Sequence, residues 1–131
     1  MHYHTFCIDK RYATTPEVIS KTLTAQLTDY LSSSQDWLGE YTRLKVYYDN
    51  GQRRVSAILN EAFKTLPTVF VPCVKPERYR LFQVADLICT IELLKLKIKA
   101  NIPLTKSELL FFRNHGILKR TYIRPLSRLM W

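Results

Sequence analysis

Acidic side chains all but disappear from the last stretch of this 131-residue sequence. From Lys95 to Trp131, Glu108 stands alone against nine basic residues: Lys95, Lys97, Lys99, Lys106, Arg113, Lys119, Arg120, Arg124 and Arg128. Met1 to Leu94 is almost balanced, with 11 Lys/Arg and 10 Asp/Glu, so nearly all of the formal +9 charge sits in one block. Such a block attracts phosphate polymers through counterion release and long-range steering. The plainer reading is a solvated basic face that keeps the protein dispersed.

Other absences narrow the class. Cys7, Cys73 and Cys89 are scattered and form no Cys-x-x-Cys pair, which excludes a disulfide framework and leaves the thiols to be expected as small core hydrophobes. The most apolar window, Leu81 to Leu94, holds Gln83, Asp86 and Glu92. At about 14 residues against the roughly 20 needed, it does not span a membrane. The first residues, Met1-His2-Tyr3-His4-Thr5-Phe6, lack the basic start and apolar run of a signal peptide, so the expected compartment is the cytoplasm. No repeat is visible. A hydrophobic content of 47% over this length suits one α/β domain across residues 1–131, with a basic helical part from about residue 95.

Apolar density peaks in Arg80-Leu81-Phe82-Gln83-Val84-Ala85-Asp86-Leu87-Ile88-Cys89-Thr90-Ile91-Glu92-Leu93-Leu94. Its apolar residues cover most of a helical circumference, the pattern of a central helix enclosed on all sides. Asp86 within it is conspicuous, because a buried carboxylate must be paired, protonated or bound to a cation. Gln83, Asp86 and Thr90 fall one turn apart and form a polar stripe, the candidate site.

In chain order, His2 to Ile8 alternates like a strand. His2 and His4 share a face and can in principle hold a metal, although paired histidines on a first strand are more often ordinary surface residues. Thr14-Thr15-Pro16-Glu17 is a helix start, and Ile19, Leu23, Leu27, Tyr30 and Leu31 carry that helix to Ser32-Ser33-Ser34. A loop through Gln35–Gly39 follows. Arg43 to Asp49 is an alternating strand; Asn50-Gly51 suggests a hairpin turn, but Val55, Ile58, Leu59, Ala62 and Phe63 make the next element a helix from about Arg53. Asp49 thus stands at the carboxyl end of a strand, where α/β sheets gather ligands, or else caps its own turn. Thr68–Val71 is a second unbroken strand closed by Pro72, so the element order predicts a layered α/β domain with a largely parallel sheet. Thr105-Lys106-Ser107-Glu108 is a capping box for a short helix ending at Asn114-His115-Gly116. Ile117 to Trp131 reads as a last basic helix, kinked or restarted at Pro125.

Tyr47-Tyr48-Asp49-Asn50-Gly51-Gln52, then Tyr79-Arg80-Leu81-Phe82-Gln83-Val84-Ala85-Asp86-Leu87, and the later Ser107-Glu108 to Phe111-Phe112, resemble the bacterial domain-of-unknown-function 3800 family. The resemblance implies a ribonuclease H-like three-layer sheet with flanking helices and a site of one or two divalent ions, Mg²⁺ or Mn²⁺. Under it, Asp49 and Asp86 match two acidic positions, as catalytic residues and metal ligands, and Gln83 matches the motif glutamine, which would either support the metal ligands or contact substrate. The family's opening strand with an Asp-Glu-Ser element has no counterpart here, so the sheet looks shortened: either the metal site is incomplete, or Asp9 or another chain supplies the missing carboxylate. The implied function is metal-dependent phosphodiester hydrolysis of RNA or DNA, with Lys119, Arg120, Arg124 and Arg128 clamping the backbone. The alternative is a catalytically silent nucleic-acid- or protein-binding module. An unpaired sheet edge would also invite a second copy or a partner protein.

Overall fold

Thr15 starts the first helix as the sequence dictates. Its Oγ1 accepts the Val18 N–H at 3.3 Å, Pro16 occupies the first turn, and α1 runs over Pro16–Ser33. The structure, a computed structural model, describes residues 2–49 and 53–130. Packing divides the chain into two compact units, Phe6–Arg78 and a second made of Met1–Thr5 with Tyr79–Trp131.

In the Phe6–Arg78 unit, the serines end α1, yet Gln35–Leu38 forms a further helical turn, α2, where a loop was expected. The Leu38 N–H bonds the Ser34 carbonyl at 2.9 Å, and Leu38 is buried with Leu31 and Ala62, so burial of one leucine overrides the local serine signal. β1 (Leu44–Tyr47) and β2 (Thr68–Val71) pair in parallel, Leu44 opposite Thr68 and Tyr47 opposite Val71. α3 (Arg53–Ala62) is the crossover between them and packs against α1. Leu44 and Val46 turn inward while Lys45 and Tyr47 face water, the period-two alternation of a one-sided strand. The fold is mixed α/β, mostly helical, and the sheet formed by the described residues has two strands. Asn50-Gly51 lies outside the described residues.

The expected strand at His2–Ile8 does not form. Tyr3 makes one isolated parallel bridge to Met130, its N–H bonding the Leu129 carbonyl at 3.2 Å. Alternation alone was a weak signal there, since the segment finds no neighbouring strand to pair with among the described residues.

The second unit is built on α4 (Arg80–Lys99), α5 (Lys106–Phe112) and a helical run made of α6 (His115–Ile117), a π-helical segment (Leu118–Ile123) and α7 (Arg124–Ser127). Ile91, Leu94, Leu104, Phe112 and Leu118 form its core, joined by Ile98, Tyr122, Ile123 and Leu126. The capping box of α5 is present in both directions. Asn114 does not simply end α5: its Oδ1 accepts the Ile117 N–H at 2.9 Å and starts the next helix. Between them Arg113 adopts φ 64°, ψ −65°, and the Asn114 N–H bonds the Phe112 carbonyl at 2.8 Å, a γ-turn. Pro125 has no N–H to offer one turn back and its ring crowds that carbonyl, and the widened π segment ends directly before its turn. The expected kink is therefore a local widening.

α4 is not enclosed. Ile88, Ile91, Glu92 and Leu94 are buried, but Leu81 is 72% and Leu93 54% exposed. Its neighbours within the unit cover one stripe toward the carboxyl end, so uniform apolarity did not translate into uniform burial. No helix among the described residues is long and apolar enough to cross a membrane.

Candidate nucleic-acid interface

The acids named from the sequence occupy three different settings. Asp9 closes the turn before α1: both carboxylate oxygens accept the Arg11 Nε at 3.0 Å, one takes the guanidinium at 2.5 Å, and the Arg11 backbone N–H adds a bond at 2.9 Å. These bonds, side chain first, hold the Asp9 carboxyl down at about 2. Asp49 is exposed just beyond β1, in the Phe6–Arg78 unit. Asp86 belongs to the other unit, on the second turn of α4.

Asp86 was expected to be buried, and it is exposed. Its carboxylate makes no hydrogen bond among the described residues; Thr90 Oγ1 instead donates to the Asp86 backbone carbonyl at 3.0 Å. Gln83 is exposed beside it, so the polar stripe exists but faces out. The buried acid of this helix is Glu92, 6% exposed, which sequence reasoning passed over. Its carboxylate accepts the Tyr3 hydroxyl at 2.9 Å and Lys95 Nζ at 3.1 and 3.2 Å. Partial burial and the nearby Glu92 carboxylate push the Tyr3 phenol up to about 12. The signal available in the sequence was the i, i+3 pair Glu92–Lys95 amid Ile91, Leu93 and Leu94.

The cysteine expectation also needs correction. Cys7, Cys73 and Cys89 are all exposed, and none is in a disulfide. Cys89 shares the uncovered side of α4, and Cys73 sits at φ 59° in the bend after Pro72. Among the described residues no three of His, Cys, Asp and Glu are grouped so as to hold a metal ion.

The basic block is sorted by the two acids within it. Glu92 engages Lys95, and Glu108 engages Lys97 at 2.5 Å; with the Thr105 backbone N–H at 2.7 Å, that lysine holds the Glu108 carboxyl below its ordinary range. Both acids serve packing, in a salt bridge between α4 and α5 and in the core of the unit. Lys119, Arg120, Arg124 and Arg128 are exposed, and none of them makes an ion pair or side-chain hydrogen bond among the described residues. Arg120, Arg124 and Arg128 recur every four residues along the terminal run, a rise of roughly 12 Å in helical geometry. This is the span of about three steps of a nucleic-acid strand at 3.4 Å each. The geometry suits phosphate contacts, which position a strand without reading its sequence. Comparison with protein-family models, with curated proteins and with solved structures gives no match, so what the chain does has to be argued from its own side chains.

Proposed function

We propose that the protein binds nucleic acid, RNA or DNA, through the basic helical run of its Tyr79–Trp131 part. The observation that carries this is the unneutralised set Lys119, Arg120, Arg124 and Arg128 on a stretch with no acid after Glu108. A face kept merely for solubility would ordinarily mix signs. Labelled single- and double-stranded RNA and DNA titrated with chelator present, by fluorescence anisotropy, should bind. Affinity should collapse when the four residues are changed to alanine while the helical circular dichroism is retained. Equal affinity of that variant and the parent chain overturns the assignment.

The motif resemblance extends the reading to a shortened ribonuclease H-like protein that hydrolyses phosphodiesters with Mg²⁺ or Mn²⁺. What favours it is the exposed Asp86 carboxylate, open to a cation, with Gln83 one turn away. In that chemistry the metal would activate water and stabilise the leaving oxygen, and the remaining ligands would come from elsewhere, such as a second chain. Cleavage of labelled strands should then require Mg²⁺ or Mn²⁺ and disappear in Asp86→Asn with binding intact. Cleavage that persists in Asp86→Asn, or none under any metal, leaves binding alone.

A further inference from the structure

A groove of about 430 Å³ opens between the last turns of α4 and the start of the terminal helical run, wholly within the Tyr79–Trp131 part. Ile98 and Ile123 line it together with Lys95, Lys99, His115 and Lys119, and no acid is in its wall. The size is that of a small-molecule site, with an apolar lining and a few polar groups. Lys95 already answers Glu92. The side chains of Lys99, Lys119 and His115 make no hydrogen bond or ion pair among the described residues, so two uncompensated lysine charges and an imidazole border the groove.

We propose that this groove binds a phosphate monoester of a nucleoside, either a free nucleotide or the phosphorylated end of a strand. Charge decides between ester types. A diester carries one negative charge, which one lysine answers; a monoester carries about −1.5 to −2 near pH 7, matching two ammonium groups with an imidazole N–H as a further donor. Ile98 and Ile123 offer the sugar or base an apolar wall, an advantage that inorganic phosphate cannot use. The strand-end form rests on the nucleic-acid reading above; the free-nucleotide form does not.

The test uses the full chain at fixed ionic strength and three end-labelled oligonucleotides of one sequence, carrying a 5′-phosphate, a 3′-phosphate or neither, with adenosine monophosphate and inorganic phosphate as separate ligands. One phosphorylated end should bind about tenfold more tightly than the hydroxyl-ended strand, the scale of a charge-assisted contact. Lys99→Ala, outside the Lys119–Arg128 stripe, should bring that ratio close to one, and adenosine monophosphate should compete at lower concentration than phosphate. Strands that bind equally whatever their ends, with no competition by the nucleotide, overturn the groove assignment and leave the polymer reading standing. If no strand binds but the nucleotide shifts the His115 ring resonances in the parent chain and not in Lys99→Ala, the groove stands and the polymer reading falls.

Discussion

Glu92 shows how one residue can tie together parts of the chain that the sequence keeps far apart. Its carboxylate is 6% exposed and depends on the Tyr3 hydroxyl and Lys95 for compensation. Tyr3→Phe removes one donor and leaves the ring, so urea unfolding should show a loss of about 1–3 kcal/mol. The pH dependence carries a sign. The folded phenol titrates at about 12 and the unfolded one near 10.0, so this contribution is whole below pH 10 and is lost as pH rises toward 12. The stability gap between parent and Tyr3→Phe should therefore narrow across that window; a constant gap would mean the phenol is not held protonated. Leu118, with 0% exposure, makes the apolar counterpart, and Leu118→Ala should cost about 2–5 kcal/mol. From the sequence, an acid in the apolar helix could be recognised as expensive. Asp86 and Glu92 both fitted that description, and local spacing could not tell which of them would lie under Tyr3, 89 residues from Glu92.

At the scale of elements, local chemistry was legible wherever caps and periodicity agreed. Thr15 and Pro16 opened α1, the helical spacing after Arg53 set α3, and Thr68–Val71 was a strand with the bounds read from its apolar run. Thr105→Ala, which dismantles the α5 capping box, should lower the unfolding free energy by about 1 kcal/mol. Elements that depend on tertiary partners were not legible. His2–Ile8 alternates but meets no neighbouring strand among the described residues, and α2 exists because Leu38 has a buried place to go. Arg113 offers a sharper test. Its φ of 64° and ψ of −65° are strained for a side chain with a Cβ, at about 1–3 kcal/mol, while glycine loses roughly 0.5–1 kcal/mol more chain entropy on folding. Arg113→Gly should accordingly raise the thermal midpoint, and a lowered midpoint would show that the arginine side chain contributes more than its backbone costs.

Across the whole molecule, the asymmetry of charge was read correctly from the sequence, but its division between packing and surface was not. Lys95 and Lys97 answer buried or half-buried acids, whereas the four cations from Lys119 onward remain uncommitted to any acid among the described residues. If those four each meet a phosphate, log affinity against log salt should fall with a slope of about −3 to −4, and Arg124→Ala should make it shallower by about one. A slope near zero would assign the basic face to solubility alone. The candidate acids were equally easy to name and harder to place, because residue spacing within one helix or strand says nothing about how distant elements come together.

The bridge from Tyr3 to Met130 also sets an order of events during synthesis. Residues 6–78 form a continuous stretch that can close on itself as soon as it has left the ribosome, whereas Tyr3 must wait for Glu92 and then for Leu129, both made long after it. Until then its phenol has no carboxylate to cover. A nascent chain arrested around residue 100 would hold Tyr3 without its backbone bridge and open to proteases, and emergence of Leu129 and Met130 would fasten it.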